Sequence, residues 1–191
     1  MKLIQNTNLL TEEIKAILFA DITEFRETFM LPVAKPENFG DKSDSLHTSL
    51  WVEELVELAD AKSLVDIADS VVDQIYVLVG RVCELGYWIP EVEYIVSCLL
   101  KVAEIKQFDF IACWKEVHSS NMSKLAKNDK ELKENIDFYA DKGVELNPIY
   151  TEMGYVLKCA KDCIYKGSPV KEGKIMKSIF YRDADLQTIL A

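Results

Sequence analysis

Leu50 to Gly80 reads LWVEELVELADAKSLVDIADSVVDQIYVLVG and holds seven carboxylates against a single basic residue, Lys62. Apolar residues recur through it at helical spacing, interrupted only around Ala61 to Ser63. That pattern predicts two amphipathic helices, about 44–61 and 64–85, joined by a link too short for anything but antiparallel packing. Residues three and four apart share a helix face, so Glu54 neighbours Glu57, and Glu53 stacks on Glu57. On the next helix Asp66, Asp69 and Asp73 fall within a stripe of roughly 60°. The glutamates of one helix then face the aspartates of the other.

Converging carboxylates repel one another unless something neutralises them. The plain alternative is a solvated acidic face, the ordinary fate of glutamate-rich helices. Two features weigh against it here. Solvated faces mix lysine with glutamate to gain ion pairs, and this one has only Lys62. Apolar residues also border the acids on both sides (Val52, Leu55, Val56; Ile67, Ala68, Val72), which suggests partial enclosure. Hard divalent cations such as Mg²⁺ take oxygen ligands of this kind, with Mn²⁺ as a substitute.

The wider sequence narrows the options. At 191 residues, with 49% hydrophobic and 28% charged content, the chain has the composition of one globular domain with a substantial core. A net charge of −10 argues against broad nucleic-acid polymer binding. A small phosphate ligand remains compatible, because a bound cation reverses the local field. No apolar run is long enough to cross a membrane, and the N-terminus reads as lacking a signal peptide. Five cysteines, an odd number, fit a reducing cytoplasm. Cys83, Cys98 and Cys113 read as small core residues. Cys159 and Cys163 have no His or further Cys nearby at zinc spacing.

Only 7 glycines and 5 prolines point to an all-α fold, a helical bundle. A first helix is expected from near Thr11, with Ile14, Ile17, Leu18, Ile22, Phe25 and Phe29 on one face, stopped by Pro32 and Pro36. In the second helix Leu50, Trp51, Leu55 and Leu58 are expected inward. In the third, Ile67, Val71, Ile75, Leu78 and Val82 form the core stripe, with Gly86 as its stop. Beyond Pro90, EVEYIVSCLLKVAEIKQF and DFIACWKEVHSSNMSKLA read as two helices or as one broken near 107–109. The chain is read as a single domain over 1–191, with a helical core over 1–130. The remainder, 131–191, is read as a polar segment, part helix and part surface loop, and a basic, partly irregular C-terminal arm. Lys158 to Arg182 carries seven basic residues and two acidic ones, so acids lie early and bases late.

EELVE (Glu53, Glu54, Glu57) followed by an acidic helix resembles the all-α nucleoside triphosphate pyrophosphohydrolases. These are the MazG-like and phosphoribosyl-ATP pyrophosphohydrolase-like proteins, whose pattern is E-E-x-x-E followed by E/D-x-x-D. DIADSVVDQIYVLVG, EVHSSNMSKL (116–125) and GKIMKSIFYRDADLQTIL are similar to further stretches of the phage and bacterial members, in the same order. The resemblance implies Mg²⁺ ligands at Glu54 and Glu57 with aspartates from the next helix. It also implies nucleotide contacts at Asn121 and Lys124, and at Lys177 in the tail. One departure concerns register: Ser70 stands where the pattern has an acid three residues before Asp73. Asp69, one position earlier, lies on the same face, so Asp69 and Asp73 are favoured; Asp66 and Asp69 themselves also make a D-x-x-D. The second departure is 87–108, longer than the corresponding link in these relatives.

The activity so implied is Mg²⁺-dependent hydrolysis of an NTP or dNTP to the monophosphate and pyrophosphate. Glu54, Glu57, Asp69 and Asp73 would hold metal. Glu53 or Asp66, where not ligands, would accept the proton of the attacking water. Asn121, Lys124 and Lys177 would position phosphates or sugar. His47 and His118 read as surface or capping residues, and Trp51, Trp88 and Trp114 as core aromatics. By resemblance the assembly is a homodimer or homotetramer. Cleansing of deoxy- or damaged nucleotides is the implied role ahead of a histidine-pathway one. The alternative, favoured by Ser70, is a non-catalytic helical module that binds metal or nucleotide, or serves assembly.

Overall fold

In a computed structural model, residues 9–191 are described. The reading of the extreme N-terminus as free of a leader therefore falls partly on residues 1–8, outside the described ones. The chain divides into two compact units, 1–118 with 185–191, and 119–184.

The first unit is helical. α1 (Glu12–Thr28) begins at Thr11, whose Oγ1 accepts from the Ile14 amide at 3.2 Å. After a 3₁₀ turn at Pro36–Asn38 comes α2 (Asp41–Asp60), then α3 (Leu64–Leu85) and α4 (Pro90–Lys106). α5 covers Phe110–Met122, and the short α7 (Leu186–Ile189) closes the chain against α3. α3 is the centre of this unit, packed on α1, α2 and α4. Val71, Val72, Ile75, Val79, Val82 and Cys83 are wholly buried along it. Ser63 caps α3 through a capping box, and Gly86 ends it in the left-handed conformation at φ 83°.

The two readings of 90–125 resolve into two helices. Gln107 turns left-handed at φ 59°, and Asp109 Oδ1 accepts from the Ala112 amide to start α5. α2 departs from expectation on its apolar faces. Leu50 and Leu55 are exposed, by 37% and 43%, whereas His47, Trp51, Glu54 and Leu58 turn inward. The inward row is therefore only half apolar, which is why hydrophobic spacing alone misread it. Both histidines are buried, not surface residues. Trp114 is a fully buried core aromatic; Trp51 and Trp88 are partly buried, as is Cys98.

The second unit mixes elements. α6 (Asp129–Ala140) is capped by Asn128, and the expected surface loop after it is a β-hairpin. β1 (Leu146–Thr151) pairs antiparallel with β2 (Gly154–Cys159), and β3 (Cys163–Tyr165) with β4 (Ser168–Val170). Ala126, Tyr139, Val144, Leu157, Val170 and Met176 belong to its separate core. The tail around GKIMKSIFY is irregular, as expected, with one bridge between Ile175 and Lys158, and it is docked. The Met176 amide donates to Leu157 O, and the wholly buried Asn135 side chain bonds both Ser178 Oγ and the Ile179 amide. Apart from these strand pairs, the described elements are helical, as the all-α expectation requires.

Candidate metal and nucleotide site

His47, near the start of α2, meets Glu84 near the end of α3, while Glu57 and Asp69 line a common hollow beside the 61–63 link. The two helices thus run antiparallel, as their short connection requires. The hollow, about 290 Å³, is lined by Glu57, Asp60, Asp66, Asp69, Ser70 and the apolar Val56 and Ala61.

Glu54 stands out among the acids. Its Oε2 is buried and has no hydrogen-bond partner. Burial first, then the charges of Glu57, Asp69 and Glu53, push its carboxyl up to about 7. Four carboxylates named by the sequence are therefore electrostatically one group. Near neutrality Glu54 retains in part a proton that an isolated glutamate would have lost. Exposed Glu53 and Glu57 lie on the same helix. Asp73 is partly buried one turn along α3 from Asp69, outside the lining of the hollow.

Asp66 has a structural occupation. Its Oδ2 accepts from the amides of Lys62 (3.0 Å) and Ser63 (2.9 Å), and its own amide donates to Ser63 Oγ. The Lys62 backbone bond leads the interactions that hold Asp66 below the usual carboxylate range. Ser70 is buried at 4% exposure and lines the same hollow.

Residues 22–97, from the middle of α1 to the middle of α4, match the family model of phosphoribosyl-ATP pyrophosphohydrolase. Over that segment the chain is similar to the phosphoribosyl-ATP pyrophosphohydrolases, which are part of the MazG-like NTP pyrophosphohydrolase superfamily. Every acid of the pyrophosphohydrolase pattern lies inside the match: Glu53, Glu54, Glu57, Asp66, Asp69 and Asp73. Asn121, Lys124 and Lys177 lie beyond it. No curated protein and no solved structure matches the chain.

These last three residues sit in the second unit. Lys124 Nζ donates to Asn121 Oδ1 at 2.6 Å, so the two form a pair. Lys177 is exposed, with its Nζ 4.0 Å from the centre of the Tyr181 ring.

Sequence reasoning missed a buried acid. Glu84, 5% exposed, accepts from Arg26 Nη2 at 2.6 Å and Ser43 Oγ at 2.7 Å, and His47 Nε2 lies 3.0 Å away. Burial opposes its ionisation, but Ser43, His47 and Arg26 outweigh burial and hold it below the usual range. The signal was available: Arg26 lies four residues after Ile22 on the apolar face of α1, a charge at a core position. A third cluster, Asp21, Glu24 and His118, brings its ligand atoms within 4.8 Å of one another. There Asp21 already accepts from Trp114 Nε1 and Lys115 Nζ, so its charge is matched by protein groups.

Proposed function

We propose that this protein is a Mg²⁺-dependent nucleoside triphosphate pyrophosphohydrolase that cleaves an NTP or dNTP to the monophosphate and pyrophosphate. The observation that carries the reading is Glu54, a buried, unpartnered carboxylate oxygen raised to about 7 beside Glu53, Glu57 and Asp69. The donor set fits a hard divalent cation, since it is all oxygen and in excess of one charge. Glu54, Glu57, Asp69 and Asp73 are the proposed ligands, and Mn²⁺ is an acceptable substitute. Bound there, the cation would screen the phosphates and lower the pKa of a water.

The chain's own residues do the rest. Glu53, exposed beside Glu54, takes the proton of the attacking water. Asp66 is the weaker candidate for that task, because its Oδ2 is engaged at the start of α3 and its carboxyl is held low. The resemblance alone assigns nucleotide contacts to Asn121, Lys124 and Lys177. Self-association as a homodimer or homotetramer is part of the proposal, supported by the exposed apolar residues of α2, Leu46, Leu50, Val52, Leu55 and Val56. No helix among the described residues is long and apolar enough to cross a membrane. A reducing cytoplasm is the proposed compartment.

Pyrophosphate release from a panel of NTPs and dNTPs, with Mg²⁺ and with EDTA, is the test. Metal-dependent release with a matching monophosphate supports the reading and names the base. Saturable binding of nucleotide with no release from any member favours the non-catalytic module, with Ser70 standing in place of an acid.

A further inference from the structure

The second unit holds a pair of thiols that the proposed hydrolysis does not use. Cys159 ends β2 and Cys163 begins β3, and their Sγ atoms lie 3.5 Å apart. Cys159 is almost wholly buried and its Sγ also donates to Lys161 O at 3.1 Å, which fixes its direction. Cys163 is partly exposed and packs against the same core. A disulfide bond is about 2.05 Å long, so closure needs the two sulfurs to approach by only about 1.5 Å, within the reach of side-chain rotation.

We propose that Cys159 and Cys163 form a reversible dithiol–disulfide site whose co-reactant is a low-molecular-weight disulfide. Cys163, the accessible member, loses its proton to solvent and attacks one sulfur of the small disulfide. This forms a mixed disulfide and expels one small thiolate. Cys159, deprotonated in turn, attacks Cys163 Sγ and expels the second. Two protein thiols are oxidised, and one small disulfide is reduced to two thiols. Burial, followed by the contact with Cys159, holds the Cys163 thiol above its usual range. The Cys163 thiol is thus stored protonated, and the pair acts as a clasp on the β2–β3 connection, without the character of a catalytic thiol.

The sequence supplies a direct assay. Trypsin cleaves after Lys158, Lys161 and Lys166, which puts the two cysteines in separate peptides, 159–161 and 162–166. The folded full-length chain is equilibrated with mixtures of oxidised and reduced glutathione, trapped by alkylation, and digested without reduction. The expected result is the two peptides joined by one disulfide, a fall in alkylatable thiols from five to three, and full reversal by dithiothreitol. Cys163→Ser should abolish the link and leave the remaining cysteines unlinked. The proposal is overturned if the pair stays reduced at every ratio while the chain remains folded. Arrest at a stable Cys163 mixed disulfide, or linkage to Cys98 with equal yield, overturns it as well. None of these outcomes bears on pyrophosphate release, so the two readings stand or fall separately.

Discussion

Arg26 Nη2 lies 2.6 Å from Glu84 Oε2, a buried ion pair that bridges α1 and α3. Glu54, on α2 in the same unit, has a buried oxygen with no partner. The fold therefore neutralises buried Glu84 from within and gives the buried oxygen of half-buried Glu54 no such partner. An unpaired buried polar group is costly, and on the proposed function that cost at Glu54 is offset when the cation binds.

Glu54→Gln removes that cost. The variant should unfold at higher denaturant concentration than the wild type in EDTA at pH 7.5, by about 1–3 kcal/mol, the scale of a carboxyl raised from 4.5 to about 7 and discounted for partial exposure. The same change should abolish Mg²⁺-dependent pyrophosphate release. A loss of stability in EDTA would show that Glu54 is held by groups other than a ligand.

The pH dependence follows from the same residue. Glu54 titrates near 7 when folded, against an ordinary value of 4.5. Between these values the folded chain retains a proton that the unfolded chain has released, so stability contributed by Glu54 falls as pH rises from about 4.5 to about 7. Subtracting the Glu54→Gln profile isolates this slope from that of Glu84, whose lowered value acts in the opposite sense. Added Mg²⁺ should raise the wild-type melting temperature more at pH 8 than at pH 6, since metal and proton compete for one carboxylate.

Arg26→Leu should be strongly destabilising, by about 3–5 kcal/mol, because it strands Glu84 in the core. Equilibrium denaturation checks the size. The double variant with Glu84→Leu should recover a large part of the loss, which a merely steric role for Arg26 would not allow.

Gly154 opens β2 at φ 132°, and a Cβ there would stand 2.5 Å from the Ala126 carbonyl oxygen. Gly154→Ala combines a strained backbone with a clash against backbone atoms. Hydrogen exchange should accelerate at the Tyr155 and Ala126 amides, which bond reciprocally across this contact. Amides of α3 should keep their protection.

Val52 and Val56, one turn apart on α2, are 45% and 55% exposed. If this face seats a second copy, Val52→Lys with Val56→Lys should convert a sedimenting dimer or tetramer to monomer. A wild-type chain that sediments as a monomer at every concentration would refute the assembly.

The helical unit was largely legible in the sequence because its signals are local. Thr11, Ser63 and Gly86 act at their own helix ends, and the α3 stripe repeats at helical spacing. The acid cluster was legible for the same reason, since E-E-x-x-E fixes a face whatever surrounds it. What escaped depended on distant partners. Nothing near His47 announces Glu84, thirty-seven positions later. Leu50 and Leu55 match a core pattern, yet α2 turns a row containing Glu54 inward. The strands after Val144 are short, and their apolar residues bury against a helix and a tail instead of repeating along one element. The capping role of Asp66 was hidden by its membership in the acidic stripe.

All three tryptophans, Trp51, Trp88 and Trp114, belong to the first unit, and the second has only tyrosine and phenylalanine as its aromatic residues. Trp114 is wholly buried, flanked by Tyr76 and Phe110, with its indole N–H held by Asp21 at 2.8 Å. Emission excited at 295 nm is therefore an optical label already built into one half of the chain. Its red shift on denaturation follows the half that carries the carboxylates, while far-ultraviolet dichroism follows both. Coincident curves mean that the two halves melt together, and separated curves resolve them without a single added dye.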